Sequence, residues 1–468
     1  MSNARPLLAD LADLMHGVRY DDLPPAAIAH ARRLMLDTIG CALGAVSSPA
    51  CTAVRAMAAS LGGAPQASLW GAAGKTSTAL ATLVNGTALR YLDSNDYVFA
   101  RDPAHPSANL AVALAVGEPL HISGRRLIEA LAGAYEVHLR LAEAAGAPAL
   151  WKRGWHHGTN AQFSSAALAA CLMQPDPRVT AHAMAIAGSH HNTLAQLQSG
   201  DISMIKASAE AWVTKGGVEA AVLAAHGMTG PLALIEGRHG WAESVAGAVD
   251  ADLLRAPIAG RFRVAEVCIK PYPAVATAMA PIQAALDLAA ETGGDTASIE
   301  QVTVRLPSYA LGTPSAAAER RHPRSRESAD HSFYYCVAIA LLDGICGDAQ
   351  FDESNLQRAP LRQLLDRITL VEDASLDALW PGSAGGGVDV LLRDGRQLSR
   401  TCRHPPGHPG NPLDDAQIAH KFHHAADPVL TLGGALRVRE LIETIDDCDD
   451  IGALCAALRA DSPPQPGD

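Results

Sequence analysis

The sequence predicts a mainly α protein, a large all-helical domain with a smaller α+β domain set before the C-terminal helices. Three observations carry that expectation. From the N-terminus to about Gly260, segment after segment repeats apolar residues at helical spacing. Period-two alternation with β-branched residues begins only after Phe262. Helical spacing then resumes beyond the Pro/Gly-rich run HPPGHPGNP (His404–Pro412). The expected boundaries are 1–262 and 410–468 for the helical domain and 263–409 for the α+β domain. At 468 residues the chain is also too long for one simple core.

Each element has its own signal. Asp22–Val46 carries prolines early, then Ile28, Ala31, Leu34, Ile39 and Leu43 on one stripe, and ends at Gly44. Similar helical segments are expected at Ser77–Tyr91, Gly124–Ala145, Ala161–Met173, Val179–Gly188 and Ser203–His226, with no strand between them. Ile299–Leu306 alternates and reads as a strand, and Ile368–Val371 is another. Val388–Leu392 and Gln397–Cys402 flank Asp394–Gly395, a strong hairpin signal. Helices are expected at Ala274–Glu291 and Ser332–Leu342, and disorder over the closing SPPQPGD.

Composition narrows the function classes. Hydrophobic residues make up 48% and aromatics only 4%, so the interior is built from Ala, Leu, Val and Ile, which suits close-packed helices. A net charge of −12 argues against nucleic acid, though a few converging cations can still hold an anionic substrate. The opening MSNARPLLADLADLMHG lacks an apolar region behind a basic one, and no stretch reaches the roughly 18 apolar residues of a membrane span. A soluble, cytoplasmic protein is expected. The nine cysteines are scattered without a CxxC pair, so neither a zinc ribbon nor a disulfide framework is suggested. There is no P-loop, HExxH or GxSxG, and no GxGxxG after a strand. The histidines lack metal-ligand spacing, so no metal or cofactor is expected.

Four segments could hold chemistry. In YLDSNDYVFARDPAHPSANLAVALAVGE (Tyr91–Glu118), Asp93, Asp96, Asp102 and His105 crowd one loop. The functional reading is a carboxylate orienting a histidine for proton transfer; the alternative is a solvated connection in which Ser107 caps the next helix. In KRGWHHGTNAQFSS, His156 and His157 point different ways, so one can face a pocket or both can lie on the surface. Lys206 shares a helical stripe with Ile202, Ala209, Val213 and Gly217, which is costly for an ammonium unless it snorkels out or finds a carboxylate. Lys270 precedes Pro-Tyr-Pro at the junction of the two textures, where ligand sites are favoured and a solvated linker is the alternative.

Taken together, LDSND with DPAHPSAN, RGWHHGTNAQFSS, SMIK with GMTGP, KPYP, SRESADHSFYYCVAIALLDG and GHPGNPLDDAQIAHKF resemble the MmgE/PrpD family along almost the whole chain. That family includes 2-methylcitrate dehydratases, cis-aconitate decarboxylases and iminodisuccinate epimerases. The resemblance implies a helical domain completed by the C-terminal helices, an inserted α+β lid, a homodimer, and a small carboxylic acid as substrate. It implies a cofactor-independent lyase, a hydro-lyase on a hydroxy acid of the 2-methylcitrate type first, with decarboxylase or epimerase as alternatives. A non-catalytic carboxylate-binding homologue is the reading from another class. By resemblance Asp93, His105, His157 and His156 are the catalytic positions, His157 being preferred of the adjacent pair. Lys206, Lys270, Tyr97 and Tyr335 are the substrate-binding positions. Tyr97 stands where relatives carry threonine and Ala108 where they carry Asp, and the segments after Lys206 and KPYP lack the family's further cations. Those departures point to a smaller or more hydrophobic acid.

Overall fold

The computed structural model describes residues 5–460. The expected disorder of SPPQPGD lies outside them. Helices dominate, and their ends follow local chemistry. Pro25–Ala45 and Pro177–Gly188 begin on proline, whose fixed φ and missing N–H suit a first helical turn. The Ser77 hydroxyl accepts from Leu80 N–H to start Thr78–Tyr91, and Ser123 does the same for Gly124–Ala144. Ala161–Met173 and Ile205–Ala225 complete the set that surrounds the site.

Two glycines fix how closely these helices meet. A Cβ on Gly86 would lie 2.9 Å from Ala211 Cβ, and one on Gly217 would lie 2.0 Å from Ser165 Oγ. Ile205–Ala225 therefore lies tight against both Thr78–Tyr91 and Ala161–Met173, with Lys206 meeting Asp93 and Glu210 meeting Arg90.

The strands after Phe262 form a four-stranded sheet in the order Ile368–Glu372, Ile299–Leu306, Gly386–Leu392, Gln397–Cys402. The first pair is parallel and the others antiparallel. Gly395, at φ 88, supplies the left-handed residue that the Asp394–Gly395 turn needs. Met279–Thr292 covers one side of this sheet, and Phe333–Asp343 packs on Met279–Thr292.

The expectation of no strand before Gly260 needs correction. Ala67–Ser68 pairs with Lys75–Thr76, and Asp96–Tyr97 pairs with Cys268–Ile269. Two-residue ladders are too short to show alternation, yet the second fastens the Asp93 loop directly beside Lys270.

Two large buried cores result. One gathers residues 7–269 with 413–460; the other gathers Tyr97, Cys268 and residues 274–392. Asp415–Glu443, bent near Pro428 and Thr431, lies along Pro25–Ala45 and so returns the chain to the first core. No single helix among the described residues is long and apolar enough to cross a membrane.

Candidate active site

A cavity of about 930 Å³, counting its open mouth, lies where residues of both cores face each other. The helical side contributes Arg90, Asp93, His105, His156 and His157, and the α+β side contributes Val275–Thr277, Tyr309 and His331, with Lys270 between them.

Asp93 is the hub. It follows the Thr78–Tyr91 helix and holds φ 51, a left-handed conformation that Asp tolerates better than most residues. The Lys206 ammonium lies 3.1 Å from Oδ1, and the Lys270 ammonium donates to Oδ2 at 2.9 Å and to the Asp93 carbonyl at 2.8 Å. Burial alone would raise this carboxyl, but Lys206, Lys270, His331 and Arg90 together hold it well below the usual range. Lys270 is fully buried, and that desolvation brings its ammonium down to about 8 against the pull of Asp93. Lys206 is not on the cavity wall; it reaches Asp93 from its own helix. The snorkelling alternative is thereby excluded.

A second carboxylate lies alongside. Glu210, one helical turn beyond Lys206, receives Arg90 Nε at 3.0 Å and faces His157 Nε2 at 3.3 Å, without hydrogen-bond alignment to the ring. Burial pushes Glu210 up, but Arg90, His157 and His105 overcome it and hold the carboxyl well below its ordinary value. Three cations thus answer the two carboxylates Asp93 and Glu210. Asp330 is held by His331 Nδ1, on the far side of that ring from Asp93.

The histidines form a connected wall. The His105 and His157 ring centroids lie 5.2 Å apart, and those of His157 and His156 lie 4.0 Å apart. His105 Nδ1 is 2.6 Å from the Asp96 carbonyl oxygen. Burial, then Arg90 and Lys270, keep the His105 ring well below the usual imidazole range. His156 Nδ1 accepts from Gly158 N–H at 3.0 Å, and its Nε2 has no partner. Burial and His157 depress that ring also.

Several expectations change. The carboxylate expected to orient His105 does not do so; a backbone carbonyl does, because the Asp93 carboxylate is committed to the lysines. Ser107 does not cap the following helix. Its hydroxyl donates to Asp96 Oδ1 at 2.5 Å and its N–H to Oδ2 at 3.0 Å, since an enclosed carboxyl that burial raises to about 7 needs donors more than the helix end does. Both His156 and His157 face the cavity rather than one of them.

Tyr97 and Tyr335, expected at the substrate, are absent from the cavity wall. Tyr97 is buried in the second core against Phe99, in the strand paired with Cys268. Tyr335 is buried in the same core and its hydroxyl donates to the Gln350 carbonyl at 2.6 Å. Both are apolar-bodied side chains on strand or helix faces that the second core covers.

Arg90, Glu210 and His331 join the site unannounced. Glu210 had a readable signal, because it lies four residues from Lys206 on the same helix face. Lys421 was also missed. It comes from Asp415–Glu443 and donates to Asp37 Oδ1 at 2.5 Å, Ser94 O at 2.6 Å and Lys270 O at 2.8 Å, tying the Asp93 loop to the Lys270 segment. Among the described residues no group of three His, Cys, Asp or Glu side chains is placed to hold a metal ion.

The sequence matches known proteins along most of its length. The MmgE/PrpD N-terminal domain matches residues 9–254 and the MmgE/PrpD C-terminal domain residues 272–447. Cis-aconitate decarboxylase of Homo sapiens is 25% identical over 98% of this chain and 96% of its own length. The 2-methylcitrate dehydratase of Cupriavidus necator is 25% identical over 86% of each. Cis-aconitate decarboxylase of Aspergillus terreus is 23% identical over 98% of this chain and 97% of its own.

Proposed function

The chain belongs to the MmgE/PrpD family, and from that membership we propose that it is an acid/base lyase removing water from a small hydroxy-carboxylic acid. The observation that carries the reading is the state of His105. A carbonyl oxygen only accepts, so Nδ1 must bear the proton and Nε2 the lone pair. Burial beside Arg90 and Lys270 keeps that ring neutral. A neutral imidazole of fixed tautomer on a cavity wall is a ready base.

The substrate carboxylate supplies the negative charge that the three cations lack. His105 Nε2 takes the proton from the carbon beside it, and the C–H pair becomes the new double bond as the C–O bond breaks. Charge developing on the carboxylate is met by Lys270, with Lys206 and Arg90 behind it. The hydroxyl leaves as water with a proton delivered by a neighbouring ring, His157, whose Nε2 faces the Glu210 carboxylate at 3.3 Å. Decarboxylation is the second reading, favoured by the longer alignment with the cis-aconitate decarboxylases. There the same wall of rings returns a proton to the carbanion that departing carbon dioxide leaves.

A panel of hydroxy acids and unsaturated acids, followed by alkene absorbance and by carbon dioxide release, separates the two readings. On the substrate so found, His105→Ala should lower kcat roughly 10²–10⁴-fold while binding persists. Turnover near that of the unsubstituted protein would end the proposal for His105.

A further inference from the structure

The cavity has two chemically different ends. One is the charged cluster around Asp93 and Glu210. The other is walled by Phe99, Trp151 and Tyr309, with Asp102 among them. Trp380 backs this wall, stacked on Tyr309 at 3.8 Å and tilted against Phe99 at 5.0 Å.

Asp102 is 1% exposed; its Oδ1 accepts from Leu150 N–H at 2.8 Å, and Oδ2 has no partner. The charge bearing on it is that of Arg101, not Arg90, Lys206 or Lys270. Burial pushes this carboxyl up to about 7. The Lys206, Lys270 and Arg90 cluster is not what bears on Asp102.

Resting on the lyase reading, we infer that the aromatic end is a tail subsite, and that the substrate carries its carboxylate at one end and an uncharged, largely apolar tail at the other. A tricarboxylate spreads anionic groups over its whole length. One of them would lie against Phe99, Trp151 and Tyr309 with Asp102 alongside and apart from the Lys206, Lys270 and Arg90 cluster, the cations nearby being Arg101 and Lys152, whose ammonium lies 5.2 Å from the Trp151 ring. An apolar tail suffers no such loss and gains from burial against the rings. A neutral hydroxyl or carbonyl on the tail would find its partner in Asp102 Oδ2.

The test compares ligands on the intact protein. By calorimetry, 4-phenylbutanoate should bind roughly tenfold or more tighter than butanoate, the scale expected for burying a phenyl ring. Trp151→Ala should erase most of that ratio, leaving butanoate within about twofold. A tail ending in a second carboxylate, 4-(4-carboxyphenyl)butanoate, should bind about tenfold weaker than 4-phenylbutanoate, and Asp102→Asn should narrow that gap. Equal affinities for butanoate and 4-phenylbutanoate overturn the tail subsite, and should Trp151→Ala prove unfolded, that ratio on the unsubstituted protein decides alone. In turnover, 3-hydroxy-4-phenylbutanoate should surpass 2-methylcitrate in kcat/KM. Preference for 2-methylcitrate sinks the tail subsite and leaves the lyase reading standing. Failure of every acid to lose water or carbon dioxide sinks the lyase reading, and the binding ratios still decide the subsite.

Discussion

Replacing Asp93 by Asn removes the charge on which the site is built while leaving its shape. Asn tolerates φ 51 as well as Asp does, so the backbone gains no strain. The lysine ammonium groups lie 2.9 and 3.1 Å from the carboxylate. At an effective dielectric constant of about 20, each such pair amounts to roughly 5–6 kcal/mol of gross attraction. Desolvation of all three charges already offsets most of that, and breaking a buried pair from one side typically costs about 3–5 kcal/mol. For a chain of this length the unfolding entropy is about 1 kcal/mol per kelvin, so Tm should fall by roughly 3–5 °C. The functional consequence is separate. Asp93 is the group that raises Lys270 against its burial, so in Asp93→Asn the Lys270 ammonium titrates below about 8 and is partly lost near neutrality. KM for the carboxylic acid should rise accordingly. Thermal melts and steady-state kinetics on one preparation test both halves. A Tm within about 1 °C of the parent together with an unchanged KM would refute the account of Asp93 as the anion that holds the lysines.

Three further outcomes are expected. KM should climb as pH rises through about 8, where Lys270 loses its proton; the same group adds stability between about 8 and 10.5, because there the unfolded chain binds the proton that the folded one has released. A KM flat to pH 9.5 speaks against Lys270 as the carboxylate partner. Glu210→Gln should lower kcat by roughly tenfold or more with KM little changed, since His157 loses its anionic neighbour while Lys270 keeps Asp93; a pure KM effect contradicts that role. Finally, we propose that the expected homodimer forms through Ile205, Trp212 and Leu223, exposed along the Lys206 helix, with Leu194 and Met204 exposed in the chain leading into it. Light scattering should give a dimer that Trp212→Glu converts to a monomer, and a monomeric parent at micromolar concentration rules it out.

Local patterns were readable because local physics sets them. Ser77 and the prolines announce helix starts, and Asp394–Gly395 announces a hairpin whose glycine takes a left-handed conformation. Ile299–Leu306 alternates because one of its faces is buried in the second core. Of the site residues reached through resemblance, Asp93, His105, His156, His157, Lys206 and Lys270 come together while Tyr97 and Tyr335 do not, and the carboxylate partners were not foreseen. Whether Asp93 pairs with His105 or with lysines 113 and 177 positions away depends on tertiary contacts.

The misread residues share one cause. Ser107 is a good helix cap in isolation, and Tyr97 and Tyr335 are good hydrogen-bonding groups for a substrate. In each case the fold offers a competing partner that short-range reasoning cannot see. Asp96, enclosed and held only by neutral donors, takes the Ser107 hydroxyl; the Gln350 carbonyl takes the Tyr335 hydroxyl; the second core takes the Tyr97 ring. Buried polar atoms are paired according to what surrounds them, and an unpaired one costs more than a lost cap. The same rule explains why the exceptions matter. On the cavity wall His156 Nε2, His157 Nε2, Trp151 Nε1, Thr277 Oγ1 and Asp102 Oδ2 all lack hydrogen-bond partners within the protein. Asp96 accepts four hydrogen bonds, from Asn95, Ser107 twice and Tyr135, so donors were available to the fold, and the unsatisfied atoms on the cavity wall are open to a ligand.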